Sequence, residues 1–354
     1  MATEATTSAH RPGLAPGTQT QREAELVDFI AEVAEEAGFS GVVGYRRQDR
    51  STTAAYGLAD RAHERPMTVD TQLALASGSK AFTALAVMSL IEDGVLTLST
   101  TARSLLGEDL PLIDDDVTVE HLLSHRSGIG DYLDEDLITD SGQYLMARPV
   151  HELVDAEAFV PLLAGFETKF AAGTDFSYCN GGYIVLAVVA ERASGQTYHH
   201  LVRERVCRRA GLSDTDFVRS DDLPARAALG YVRVDGHWRT NVFHLPVLGN
   251  GDGGIYSTVS DIERFWDSLW QGRVVSPATV LEMMRPRSES GNEYYGLGFW
   301  LPGPDGVAGI VGEDAGVSFH SNHDREAQIT RTVIANTADG AWPVVRRLRD
   351  FTGG

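Results

Sequence analysis

The sequence predicts an α/β fold in which an antiparallel sheet, built from strands near both ends of the chain and flanked by helices, holds a mostly helical insertion. Three observations predict it. Two strand-like runs with turn residues between them stand near the N-terminus, and further strand-like runs gather near the C-terminus. Between them lie long apolar segments at helical spacing.

The elements follow in order. The first twenty residues are small and polar, with Pro12 and Pro16, and read as a mobile tail. Thr20 and Glu23 form a capping-box pattern before Leu26, Phe29, Ile30 and Val33, which repeat at helical spacing until Gly38. "GVVGYRR" (Gly41 to Arg47) and "TAAYGLAD" (Thr53 to Asp60) read as a hairpin. Ala81 to Ile91 is apolar on nearly every side and so predicts a buried helix, as does Tyr183 to Gly195, which ends on glycine. Thr258 to Gly272 is amphipathic, with Ser260 placed as N-cap and Glu263 completing the box. "YYGLGFWL", "GVSFHS" and "QITRTVIANT" return to strands, and a last helix starts near Trp342. Residues 21–354 form one unit, with 21–75 and about 285–354 as its α/β part and about 76–284 as its helical part.

Composition narrows the class. With 43% hydrophobic and 23% charged residues, the 354-residue chain is an ordinary globular protein with a well-buried core. A formal net charge of -20 repels phosphates, which argues against nucleic-acid and anionic-membrane partners. "VRRLRD" (Val345 to Asp350) is the best candidate for a local basic patch, and it reads as the solvated face of the last helix. Cys179 and Cys207 make neither a disulfide framework nor a metal-ligand pattern, and no metal or cofactor is expected. The N-terminal residues show no apolar export signal and no apolar run is long enough to span a membrane, so the expected location is cytoplasmic.

The chemistry starts at "ASGSKAFTALAVMSLIEDG" (Ala76 to Gly94). Lys80 heads a run so apolar that it must be buried, in a chain whose only other lysine is Lys169. Ser77 and Lys80 are three residues apart and share one helical face. Ser77 falls near a helix N-terminus, where free N–H groups and the dipole favour a developing oxyanion. Burial and the same dipole disfavour an ammonium at Lys80, leaving a neutral amine able to activate the hydroxyl. About a hundred residues on, "FSYCNGGY" supplies Tyr178 and Asn180. A phenol beside an ammonium becomes a phenolate at modest cost and can relay protons to and from Ser77. Asn180 offers an amide to orient Lys80 or bind a substrate carbonyl.

These patterns resemble those of the serine β-lactamase-like hydrolases: class C β-lactamases, D-stereospecific peptidases and related esterases and transacylases. The resemblance runs from about Gly41 to Asn336. Tyr56 to Leu98 is similar to that family's approach to its SxxK serine, and "VTVEHLLSHRSGIGDY" (Val117 to Tyr132) to the loop that follows. Ala171 to Gly195 resembles its YxN region, with Ala172 where a proline is usual. "NGDGGIYSTVSDIERF" and "YYGLGFW" are similar to later segments. The resemblance implies a β-lactamase/transpeptidase-like fold, Ser77 as acylated nucleophile, Lys80 as its proton acceptor, Tyr178 as general base and acid, and Asn180 as a substrate-positioning residue. It also implies an oxyanion hole made by the Ser77 N–H and an N–H from the strand bearing a third motif.

That motif is usually a lysine or histidine, any residue, then glycine. Here the segment reads "GIVGEDAGVSFHS", and either Asp314-Ala315-Gly316 or Glu313-Asp314-Ala315 fills the place, so that an acid replaces the cation. The second donor would then be the N–H of Val317 or Gly316. An acid there repels the carboxylate of penicillins and D-Ala-D-Ala peptides. It suits an uncharged or cationic ester, thioester or amide, with Glu313 or Asp314 able to meet an amine. His125 reads as a loop histidine of structural role, while His320 and His323 are candidates to reach the cleft. Cys179 reads as a small buried hydrophobe, and the glycine-rich "GNGDGGIYS" as a tight turn lining the cleft.

The expected function is a serine hydrolase or acyltransferase acting on a small molecule or short peptide. The alternative within the family is a β-lactamase or D-amino-acid peptidase. The alternative of another class is a penicillin-sensor-like binding protein that acylates without turning over. Oligomeric state is not specified by the sequence.

Overall fold

The computed structural model describes residues 19–135, 137, 145–301 and 307–352; the N-terminal tail before Gln19 lies outside them. Helix α1 (Gln19–Ala37) leads into strands β1 (Gly41–Arg47) and β2 (Arg50–Tyr56). The Thr20 and Glu23 side chains are outside the described residues. The chain then leaves the sheet and returns with β3 (Ser288–Ser290), β4 (Glu293–Tyr295), β5 (Trp300–Leu301), β6 (Ala308–Asp314), β7 (Val317–Asp324) and β8 (Ile329–Ala335). Among the described residues these eight strands form one antiparallel sheet in the order β3-β4-β5-β6-β7-β8-β1-β2. The two ends of the chain meet in its middle, where Val42 pairs with Ile334 and Val43 with Val333.

Strand alternation divides this pairing between two cores. Val43 and Val333 pack with Leu26, Ile30 and Val344 under α1 and the last helix, Ala341–Thr352. Val42 and Ile334 join the larger core on the opposite face, with Phe82, Leu85, Val188 and Trp266. Three helices supply that core: α2 (Ser79–Glu92), α3 (Asn180–Ser194) and α4 (Val259–Trp270). Helix α2 is buried from Ser79 to Leu90, as its uniformly apolar composition requires. Each fully buried leucine or phenylalanine contributes roughly 1.5–3 kcal/mol, so this helix is a rigid base for the residues at its N-terminus.

Two details differ from expectation. Helix α4 is capped by Thr258, whose side chain accepts from Asp261 N, and not by Ser260, which lies inside the helix. Glu263 instead accepts from the Ser51 hydroxyl on β2. "GIVGEDAGVSFHS" is two strands, not one, turning at Ala315-Gly316 with Gly316 at φ +74°. The span between the sheet's two parts also holds short strands, notably Leu73–Ala74, Asp216–Phe217 and Ile255–Ser257 in one three-stranded sheet.

Candidate active site

Ser77 sits in a single 3₁₀ turn, Ala76–Gly78, that runs directly into α2. The turn is entered through Ala76 at φ +45°, a left-handed conformation that a non-glycine residue adopts only when its surroundings impose it. Helical spacing then brings Lys80 back under Ser77. Lys80 is 2% exposed, and its Nζ donates to Ser77 Oγ, Asn180 Oδ1 and the Asp252 carbonyl, each at 2.8 Å. Two of these partners can only accept; the third, a hydroxyl, can also donate. The amine is therefore held in one place with its third direction on Ser77, and it keeps these partners whichever way that proton lies.

Tyr178 completes the contact around Ser77. Its hydroxyl is hydrogen-bonded to Ser77, and Lys80 Nζ lies 4.8 Å from the centroid of its ring. Burial, then the nearby carboxylates Glu135, Asp252 and Asp131, push the phenol well above its ordinary value. Burial therefore favours the neutral phenol at Tyr178, with Lys80 Nζ set over its ring.

Two bonds fix Tyr178 from behind. The Ser177 N–H donates to the His125 carbonyl at 3.0 Å and the Cys179 N–H to His125 Nδ1 at 3.0 Å. Because Nδ1 accepts, the ring proton of His125 is on Nε2. Burial and Lys80 lower the His125 pKa well below the ordinary value, so the ring stays neutral. Its ring centroid lies 4.3 Å from that of Tyr178, the two planes tilted by 32°. On the far side Trp300 lies nearly parallel to Tyr178, at 6.1 Å. Cys179 is buried and caps α3, its Sγ accepting from Gly182 N.

Asn180 opens α3 with every side-chain group engaged. Its Oδ1 accepts from Lys80, and its Nδ2 donates to the Leu133 carbonyl and Glu135 Oε1. Asp131 holds the helix start by accepting from the Asn180 and Gly181 N–H groups. The geometry places Asn180 to orient Lys80, with its Nδ2 held by Leu133 and Glu135.

The third motif falls elsewhere than expected. Gly312 of β6 lies against the Ser77 turn: a Cβ there would stand 2.1 Å from the Leu75 carbonyl oxygen and 2.9 Å from the Ser77 and Gly78 nitrogens. Gly312 is thus the glycine of the pattern, and the cation's place two residues earlier is taken by buried Ile310. Gly316 is turned instead toward Gly230 and Tyr231. Val317 packs with Ala74, Ala76 and Tyr256, and pairs with Asp314 to close the two-residue turn. That pairing occupies the Val317 N–H and, by antiparallel alternation, sends the Glu313 N–H outward from β7. Strand β5 pairs with β6 at Trp300 and Gly309, before this point. The Glu313 N–H, next to Gly312, therefore points out of the β6–β7 pairing, whereas the Val317 N–H is engaged in it and Gly316 is turned away.

The two acids separate. Alternation puts Asp314 on the same face as Gly312, toward the site, and Glu313 on the other, where its carboxylate accepts from Trp342 Nε1 at 2.7 Å. Neither expected histidine reaches the cleft. His323 bonds Thr330 and stacks on Trp266, and His320 points to the other face of the sheet, near Arg331 and Arg349. The glycine-rich turn does line the cleft, and it brings Asp252, which the sequence did not single out. Asp252 gives its carbonyl to Lys80 while its side chain accepts from the Tyr132 hydroxyl.

The Beta-lactamase family profile matches residues 26–350. This chain belongs to the Beta-lactamase family. Among its Beta-lactamase family relatives, penicillin-binding protein 4* of Bacillus subtilis (strain 168) is 30% identical over 280 residues, 74% of this chain and 59% of that protein. The chain thus spans less than two thirds of that relative. Esterase EstB of Burkholderia gladioli is 31% identical over 304 residues, 77% of this chain and 73% of its own length. The crystal structure of a penicillin binding protein from Bacillus halodurans matches with a TM-score of 0.86 at 33% identity, covering 91% of this chain and 99% of that one. The family is one of serine hydrolases on a β-lactamase fold, and its members include an esterase.

Proposed function

We propose that this chain is a serine hydrolase or acyltransferase that works on an ester, thioester or amide through a Ser77 acyl-enzyme. The observation that carries the reading is the Ser77 hydroxyl held between Lys80 Nζ, 2.8 Å away, and the Tyr178 phenol. Lys80 takes the Ser77 proton as Oγ bonds to the carbonyl carbon. The N–H groups of Ser77 and Glu313 receive the oxyanion. The neutral Tyr178 phenol protonates the leaving group as the scissile bond breaks and is left as a phenolate. It then takes a proton from water, or from a second acceptor, whose oxygen or nitrogen attacks the acyl carbon. Ser77 departs with the proton held on Lys80, which restores every group.

The acidic side chain on the site face, Asp314, disfavours a substrate carboxylate. This supports an esterase, amidase or transacylase of small-molecule metabolism over a β-lactamase or D-amino-acid peptidase. Two free, buried cysteines suit a reducing, cytoplasmic setting.

Labelling with a fluorophosphonate, followed by mass spectrometry of the adduct, tests the reading. Label on the Ser77 peptide, absent in Ser77→Ala, is the expected result. An unlabelled native protein, or equal labelling of Ser77→Ala, overturns it.

A further inference from the structure

Beside the nucleophile lies a small cavity of ≈ 60 Å³ that the mechanism does not use. Its walls include Ala74 and Ala76 before Ser77, Asn250, Asp252 and Gly253 of the glycine-rich turn, and Asp314. Apolar surface from Leu133, Val218, Tyr256 and Val317 and polar groups of Ser220, Asn241 and His244 also line it. Three polar groups shape it: His244 and Asn250, each with a buried nitrogen that has no partner among the described residues, and half-buried Asp314. Asn250 is 1% exposed, its Oδ1 accepts from the Gly251 N–H, and its Nδ2 has no acceptor among the described residues. Asp314 accepts from its own Ala315 N–H at 2.8 Å and makes no ion pair among the described residues.

The charges around Asp314 make this deficit sharper. Asp252 and Glu135 act on its carboxylate repulsively, and the side chain that partly offsets them is Lys80, whose Nζ already has three partners. A buried carboxylate among carboxylates gains most from an added cation. The turn that carries it is fixed for the purpose, because Asn241 Nδ2 donates to the Ala315 carbonyl at 2.8 Å.

We infer that this cavity is the subsite for a cationic, amine-bearing acyl donor: its ammonium pairs with Asp314 and an adjacent oxygen accepts from Asn250 Nδ2. The inference rests on the Ser77 acyl-enzyme reading for its direction. The leaving group must meet the acid Tyr178, which does not line the cavity, so the portion entering it is the acyl side. The space admits a head group of a few heavy atoms, which points to amino esters and amino amides and not to long-chain acyl groups.

The test compares alanine p-nitroanilide, as both enantiomers, with propionyl p-nitroanilide, which lacks only the ammonium. Native enzyme should favour one amine-bearing enantiomer in kcat/KM by about tenfold or more, the scale of a charge-assisted bond. Asp314→Asn should bring that ratio to within about twofold of unity, and Asp314→Glu should keep part of the preference. A ratio is read, so partial loss of folded enzyme cancels. In Ser77→Ala, calorimetric binding of the same compounds should show the same preference, and Ser77→Ala/Asp314→Asn should lose it. A ratio unaffected by Asp314→Asn, or equal binding of the amine and its isostere to Ser77→Ala, overturns the subsite. Unlabelled Ser77 would instead overturn the catalytic reading, while the binding comparison would still judge the subsite by itself.

Discussion

Gly312 stands so close to Ser77 that a Cβ on it would lie 2.9 Å from the Ser77 nitrogen, and 2.1 Å from the Leu75 carbonyl oxygen. Strand β6 and the Ser77 turn share one small space, and that contact sets how closely the strand approaches the Ser77 N–H. Gly309, on the same strand, has nothing nearer than 3.7 Å to such an atom.

Gly312→Ala should therefore separate β6 from the Ser77 turn and lower kcat on a small ester by about 10²-fold, the scale of losing an oxyanion donor. It should also cost about 1–3 kcal/mol of stability through overpacking. Gly309→Ala makes the same chemical change and should leave the melting temperature and kcat near native. Equal effects of the two, by steady-state kinetics and thermal melts, would remove Gly312 from the site.

Lys80→Ala and Tyr178→Phe probe the proton path. Each should lower kcat on a small ester by about 10²-fold or more, as general acid–base groups do. Lys80→Ala also leaves Asn180 Oδ1 and the Asp252 carbonyl without their donor and should lower the melting temperature. Tyr178→Phe keeps the ring against His125 and should melt close to native. Near-normal rates in both variants would sink the relay.

The legibility of this site follows the range of its contacts. Ser77 and Lys80 could be read because helical spacing alone brings them together, and Tyr178 with Asn180 because one tripeptide carries both. The β6–β7 turn could not be placed from the sequence. "IVGED" has no clean alternation, so nothing local says whether Gly312 or Gly316 meets the nucleophile. Asp252 and Asp131 gain their roles from contacts across 49 to 172 residues of chain, which no local pattern encodes. Ser260 reads as a cap because two hydroxyl residues stand two apart, and the helix starts at the one whose oxygen meets the Asp261 N–H.

His125 is a positioning residue for Tyr178. His125→Phe removes the acceptor of the Cys179 N–H and forces a bulky side chain to keep φ +56°. His125→Asn tolerates that conformation better. Catalytic rate should fall in the order native, Asn, Phe, with the acid limb of the pH–rate profile unmoved in His125→Asn, because the native ring is already neutral. A shifted acid limb would show that the histidine itself transfers protons.

The carboxyl cluster gives stability a definite slope with pH. Burial, with Asp252 and Glu135, raises Asp314 to about 7, against the partial relief from its Ala315 N–H bond and Lys80. Burial likewise raises Asp131 to about 6, opposed by its backbone N–H bonds and supported by Asp252. An unfolded aspartate titrates near ~4. Between these values the folded chain holds protons that the unfolded chain has released, so their contribution is present below pH ~4 and is lost as pH rises through about 7. His125 and His320 have lowered values and act in the opposite sense, so the native melting curve alone mixes both signs. The difference between Asp314→Asn and native isolates the aspartate, because asparagine cannot ionise beside Asp252 and Glu135. The variant should melt higher than native at pH 8, with the gap shrinking as pH falls toward 4. A gap constant across that range, in melts recorded at fixed ionic strength, would mean that Asp314 keeps an ordinary pKa and is not enclosed by the cavity.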